Sequence, residues 1–182
     1  AGMVKDGLDA VEALIAAGFP VDRDADGGVS LGREAAHSHP RIIHAGGDAT
    51  GRNLVSTLLV EAEAAPSINI IAGAIAVDLL MTKGRVSGVL AYTAQDGWVA
   101  FAASNVILAT GGVGALWRET TNPPEATGDG LALAARAGGR LADLEFVQFH
   151  PTALDAGGGT GGTRLGLLTE ALRGAGARLI DR

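Results

Sequence analysis

The sequence predicts an α/β fold, and three observations carry that prediction. Helical and β-rich stretches alternate along the chain instead of segregating. A meander of short strands occupies the middle, between Ser67 and Leu108. It closes on NVILATGG (105–112), a continuous apolar run ending at paired glycines, as in a strand buried on both faces of a parallel sheet.

In chain order, Leu8, Val11, Leu14 and Ile15 recur at helical spacing, and Gly18 before Phe19-Pro20 stops that helix near Ala17. Val21 to Leu31 reads as a short hairpin turning at Asp26-Gly27-Gly28. The polar loop REAAHSHPRIIHAGGDATG follows, then a second amphipathic helix with Leu54, Val55, Leu58, Leu59 and Ala62 on one face. Strands are expected at Ile68 to Ile71, Ala74 to Met81, Arg85 to Thr93, Trp98 to Ala102 and Asn105 to Leu108, all rich in β-branched residues. Lys83-Gly84 and Asp96-Gly97 supply hairpin turns. A helix spans Asp129 to Ala137, with Leu131, Ala134, Ala135 and Gly138 as a small-residue face suited to a sheet. After His150 come a glycine loop, DAGGGTGGTR, and a helix through Leu167, Leu168, Ala171 and Leu172. A domain boundary near Leu144 gives residues 1–143 and 144–182.

Composition bounds the function. At 182 residues the chain suits one medium domain, or most of one with part of another. Hydrophobic residues reach 47% against 19% charged, enough for a core and too apolar for disorder. The 28 glycines cluster without a Gly-X-Y period, which excludes collagen and implies many tight turns. A net charge of −6 with no basic run makes nucleic acid and anionic membrane surfaces poor partners. The absence of cysteine excludes disulfides, thiolate nucleophiles and Cys-ligated metals, and fits a cytoplasmic setting. No signal peptide is expected, and the apolar stretch Ile68 to Met81, broken by Gly73 and Asp78, is too short to span a bilayer. The helix already under way at Ala1 suggests a piece of something longer.

Four places carry candidate chemistry. Ala109, Thr110 and Gly111 stand at the carboxyl end of the expected NVIL strand, where open α/β sheets bind ligands, although Gly112-Val113-Gly114 lacks a dinucleotide fingerprint. In TGDG, Asp129 opens a helix. A carboxylate there repels phosphate but accepts hydrogen bonds from hydroxyl or ring N–H donors, while the plainer reading is a helix cap. In EFVQFHPT, alternation puts Phe146, Gln148 and His150 on one side of an extended segment, and Pro151 keeps His150 out of the α region. Thr169, Glu170 and Arg173 share a helical turn; with His150 and Thr152 they would suit a carboxylate ligand, against the alternative of a solvated salt bridge. In the REAAHSHPRIIH loop, His37, His39 and His44 lack a recognised metal spacing, and Glu34 is either a solvated loop acid or a partner for an ammonium group.

Together REAAHSHPRIIHAGGDATGR, NVILATGGVGALW, TTNPPEATGDGLALAARAGGRLADLEFVQFHPTAL and LLTEALRGAG resemble the L-aspartate oxidase branch of the succinate dehydrogenase/fumarate reductase flavoproteins. The resemblance covers nearly the whole chain. It implies part of a Rossmann-like FAD-binding domain with a β-meander insert, followed by the start of an α+β capping domain. It also implies oxidation of L-aspartate to iminoaspartate by non-covalent FAD, with oxygen or fumarate as acceptor. The product would feed quinolinate and NAD synthesis, with quinolinate synthase as a partner.

By the same resemblance Asp129, Ala109, Thr110 and Gly111 lie on the FAD side. His150 and Thr169 hold a substrate carboxylate with Glu170 beside them, and Glu34 orients the ammonium group. Ala35-Ala36 and Ala175 depart from the family pattern, which carries glycines and a glutamate there. The Gly-x-Gly-x-x-Gly segment and the proton-accepting arginine are expected outside residues 1–182, so the isolated chain is expected neither to hold FAD tightly nor to turn over aspartate. A succinate- or fumarate-acting relative and a non-catalytic binding module are the competing readings. The spatial expectation is that Asp129 and His150 face one cleft.

Overall fold

The structure, a computed structural model, describes residues 2–154, 164–178 and 180. The elements run α1 (Gly2–Ala16), β1 (Leu31–Gly32), β2 (Ile42–Ile43), α2 (Thr50–Ala64), β3 (Ala74–Thr82), β4 (Arg85–Thr93), β5 (Gly97–Ala102), α3 (Asp129–Arg136), β6 (Ala153–Leu154), β7 (Gly166–Leu167) and α4 (Glu170–Gly174). They fall into two compact units, Ala1–Ile70 with Thr169–Arg182, and Ile71–Leu168.

In the first unit, α1 ends as its glycine requires. Gly18 takes a positive φ of 94° and donates to the Ile15 carbonyl at 3.1 Å, while the Phe19 N–H reaches Leu14 at 3.0 Å. This paired closure turns the chain back so that Phe19 and Val21 drop into the core. That core is Phe19, Val21 and Ala45, packed by Leu14, Ile15, Val29, Ile43 and Leu54. The expected hairpin forms as a single antiparallel bridge, Arg23 to Val29, with Gly27 at φ 87° in its turn. β1 and β2 pair antiparallel, Leu31 opposite Ile43 and Gly32 opposite Ile42. Asn53 and Thr50 of α2 bond the Ala45 backbone from both sides, at 2.9 and 3.2 Å. Of the apolar face expected on α2, Leu54 meets the core, whereas Val55, Leu58 and Leu59 are exposed.

The second unit is built on the meander β3-β4-β5, antiparallel throughout. Lys83 (φ 51°) and Gly84 (φ 76°) form a two-residue turn with both residues left-handed, the geometry that matches strand twist. Gly97, at φ 69°, closes the second hairpin, and the Asp96 N–H donates to the Thr93 hydroxyl at 2.9 Å. Tyr92 and Trp98 pair across the strands edge to face, centroids 5.5 Å apart. α3 lies on β3: Arg136 reaches Asp78 Oδ1 at 3.1 Å and the Val77 carbonyl at 2.7 Å, at the point where the β3–β4 register shifts between Ala76 and Asp78.

Several expectations are corrected. Ile68–Ile71 and residues 105–108 form no strand, and Ile107 is 91% exposed. A strand exists only through hydrogen bonds to a neighbour, and these apolar runs meet none among the described residues. The buried side of α3 is Gly130 and Leu133 with Ala134 half-buried, whereas Leu131 and Gly138 of the expected face are exposed. The last helix starts at Glu170 and not at Leu167, which pairs as β7 with Ala153 of β6. The glycine loop at 155–164 lies, Arg164 apart, outside the described residues. Among the described residues no helix is long and apolar enough to cross a membrane.

Candidate functional site

In the second unit the ATGG loop and the TGDG helix mouth are built against each other. The Gly128 N–H donates to the Gly112 carbonyl at 3.1 Å, and the Ala115 N–H to Ala126 at 2.9 Å. Gly128, left-handed at φ 82°, is the N-cap of α3, so Asp129 stands in the first turn and makes no capping bond. This removes the plain cap reading. The carboxylate of Asp129 is exposed and accepts the Thr127 hydroxyl at 2.6 Å. Gly130 abuts Thr110 so closely that a Cβ on the glycine would collide with the threonine hydroxyl. Thr110 and Asp129 thus meet at one helix mouth, with Ala109 and Gly111 exposed beside them.

His150 lies in a separate cavity of about 230 Å³ in the same unit, among Gly114, Trp117, Thr120, Asn122 and Gln148. Its Nδ1 is held at the Thr152 backbone, 3.2 Å from the N–H and 2.7 Å from the carbonyl. Val147, Gln148, Phe149 and His150 all line this cavity, so the expected alternation does not hold. The segment follows a turn at Asp143 (φ 58°) and belongs to no strand. Asp129 is not among the residues that line this cavity. What links the two places is the glycine loop, since Gly112 bonds the helix mouth while Gly114 lines the cavity.

The first unit holds a cavity of about 470 Å³, and here sequence-distant residues converge: Asp22, Glu34, His44, Asp48, Thr50 and Thr169. Gly174 of α4 packs on the Arg33–Glu34 backbone with no room for a Cβ, and Arg33 donates to the Gly174 carbonyl at 3.2 Å. That contact brings Thr169 to the Glu34 loop. Among the described residues the Oε2 atom of Glu34 is buried without a hydrogen-bond partner, as is Nδ1 of His37. Glu170 does not line this cavity; it pairs with Arg173 on its own helix. Among the described residues no three His, Asp or Glu side chains gather as a metal site.

Two features here were missed in the sequence. Asp22 accepts the Gly46 and Gly47 N–H groups at 2.8 and 3.0 Å, both glycines being left-handed. These bonds, Gly47's first and Gly46's next, with His44 nearby, hold the Asp22 carboxyl below its usual range. The paired glycines of HAGGD were the available signal for such an anion nest. His44, weighed only as a metal ligand, is a cavity residue.

The FAD binding domain family matches residues 2–182. The chain belongs to this family. Its relatives include the L-aspartate oxidase of Mesorhizobium japonicum, 53% identical over 94% of this chain and 33% of that one. The L-aspartate oxidase of Bacillus subtilis is 47% identical over 100% of this chain and 33% of that one. Among solved structures, E. coli quinol fumarate reductase FrdA superposes with a TM-score of 0.81 at 34% identity, over 91% of this chain and 27% of that one. The chain spans about a third of the length of the curated relatives it matches.

FAD is the cofactor of this domain family, and the residues present fit it. An exposed carboxylate at a helix mouth, backed by a glycine loop, offers an acceptor to the hydroxyls of such a cofactor and would not suit a phosphate.

Proposed function

We propose that the protein oxidises L-aspartate to iminoaspartate with non-covalent FAD, using oxygen or fumarate as acceptor. The single observation carrying this reading is Glu34. Glu34 lines a cavity that also includes Thr169, its Oε2 has no hydrogen-bond partner among the described residues, and an orphaned buried carboxylate oxygen calls for a donor. The ammonium group of an amino acid supplies one; succinate and fumarate do not. The 43–53% identity to L-aspartate oxidases supports the same choice.

Each residue then has a task. Glu34 orients the substrate's ammonium group, and Thr169 donates its hydroxyl to a carboxylate. His150, whose Nδ1 accepts the Thr152 N–H at 3.2 Å, has its Nε2–H left to donate to a carboxylate. Glu170 keeps Arg173 in place beside Thr169. Asp129 accepts cofactor hydroxyls, with Ala109, Thr110 and Gly111 forming the adjoining wall. Bound FAD supplies the two-electron acceptor; the side chains supply orientation, which accounts for much of the acceleration in such reactions. Residues from 144 onward belong to the capping domain in this reading. The product enters quinolinate and NAD synthesis in the cytoplasm, with quinolinate synthase as a partner.

The likeness to fumarate reductase favours a second reading, a dicarboxylate enzyme. The flavin-loaded full-length gene product separates the two. Under air, L-aspartate yields iminoaspartate, scored as oxaloacetate plus ammonia, with stoichiometric hydrogen peroxide. Oxidation of succinate without oxidation of aspartate would overturn the proposal.

A further inference from the structure

His44 carries a role that the reading above leaves unused. It stands just past β2, and its backbone is fixed independently of its ring: the Asp22 N–H donates to the His44 carbonyl at 2.9 Å. The ring lines the 470 Å³ cavity with Glu34 and Thr169 and makes no hydrogen bond among the described residues. Its Nε2 edge fills the space that a side chain at position 32 would occupy, so glycine at 32 is what admits the imidazole to the cavity wall. A half-buried imidazole without a partner, seated where only a glycine makes room for it, has the arrangement of a ligand contact more than of a packing residue.

The charges around it define the ligand. Asp22, Glu34 and Asp48 are the acids on this wall. Asp22 accepts the Gly46 and Gly47 N–H groups and makes no hydrogen bond to the His44 ring among the described residues. Glu34 keeps the unpartnered oxygen. The cavity therefore offers an acceptor for a cation at Glu34, with O–H and N–H donors at Thr169 and His44 for an anion. That is the polarity of an α-amino acid bearing a second carboxylate.

We propose that His44 is a further substrate-binding residue, its imidazole donating to a carboxylate of the substrate whose ammonium group meets Glu34. This inference rests on the reading of the cavity as an amino-dicarboxylate site. It gives the amino-acid enzyme an extra carboxylate donor on the same wall as its ammonium acceptor.

The test uses the flavin-loaded full-length gene product, with succinate as a carboxylate probe titrated by calorimetry and aspartate as substrate. His44→Leu should weaken succinate binding and raise KM for aspartate by about tenfold, the scale of one hydrogen bond to a charged group. His44→Gln, which keeps an N–H near the Nε2 position, should recover most of both losses. Unchanged affinity in His44→Leu, or His44→Gln as weak as His44→Leu, would overturn the proposal. Should His44→Leu fail to fold, His44→Asn takes its place. Its amide is too short to reach the Nε2 position, so it should bind about tenfold more weakly than His44→Gln, and equal affinity would overturn the proposal. If the wild type does not oxidise aspartate, the proposed reaction fails, while the succinate titrations still judge His44.

Discussion

Gly130 sits against the hydroxyl of Thr110 with no space between them for a side chain. The contact seats the first turn of α3 on the glycine loop that precedes it, and it puts Asp129 at the mouth of the same helix. Gly130→Ala should therefore cost about 1–3 kcal/mol of stability through overpacking and loosen FAD binding in the full-length protein. Adding Thr110→Ala to that variant should return part of the stability. Thermal melts and flavin titration of the single and double variants check this; additive losses would contradict the contact.

The clasp between Arg136 and Asp78 is half exposed, so its ion pair contributes modestly. Arg136→Met should lower stability by about 0.5–1 kcal/mol, and a double-mutant cycle with Asp78→Asn should give a coupling of the same size. Denaturant midpoints measure both. High salt should reduce the coupling without abolishing it, because Arg136 also bonds the Val77 carbonyl at 2.7 Å.

Asp22 titrates below the ordinary carboxylate range because Gly47 and Gly46 bond its ionised form. A group whose folded pKa is depressed contributes stability above its unfolded pKa of about 3.9 and loses it as pH falls through the folded value. Asp22→Asn should therefore melt below the wild type at pH 7, and the gap should close as the pH is lowered past that range. Melting both proteins across the acid range tests this; a gap that widened on acidification would contradict it.

How much of this was legible in the sequence follows from the range of the interactions. The meander was readable because its turns are local: Lys83-Gly84 and Gly97 carry their own left-handed geometry, and Gly18 ends α1 in the same way. The strand expected at 105–108 was not, since an apolar run specifies a strand only when a neighbour pairs with it. The contact of α3 with β3 joins Arg136 to Asp78, 58 residues away. The nest around Asp22 spans 24 and 25 residues, and no local pattern announces which acid fills it. For the site, residue types on the loops were readable, while their grouping was not. Glu34 and Thr169 share a cavity, Asp129 does not line the one that holds His150, and His44 reaches its wall only because Gly32 leaves room for the ring.

The most direct measurement is the ratio of kcat/KM for L-aspartate to that for succinate in the flavin-loaded full-length protein, before and after Glu34→Gln. An ammonium group paired with a buried carboxylate is worth several kcal/mol, so the wild type should favour aspartate and the variant should lose on the order of a hundredfold on aspartate while keeping its succinate rate. A wild type that prefers succinate, or a variant whose aspartate rate is unchanged, would contradict the account.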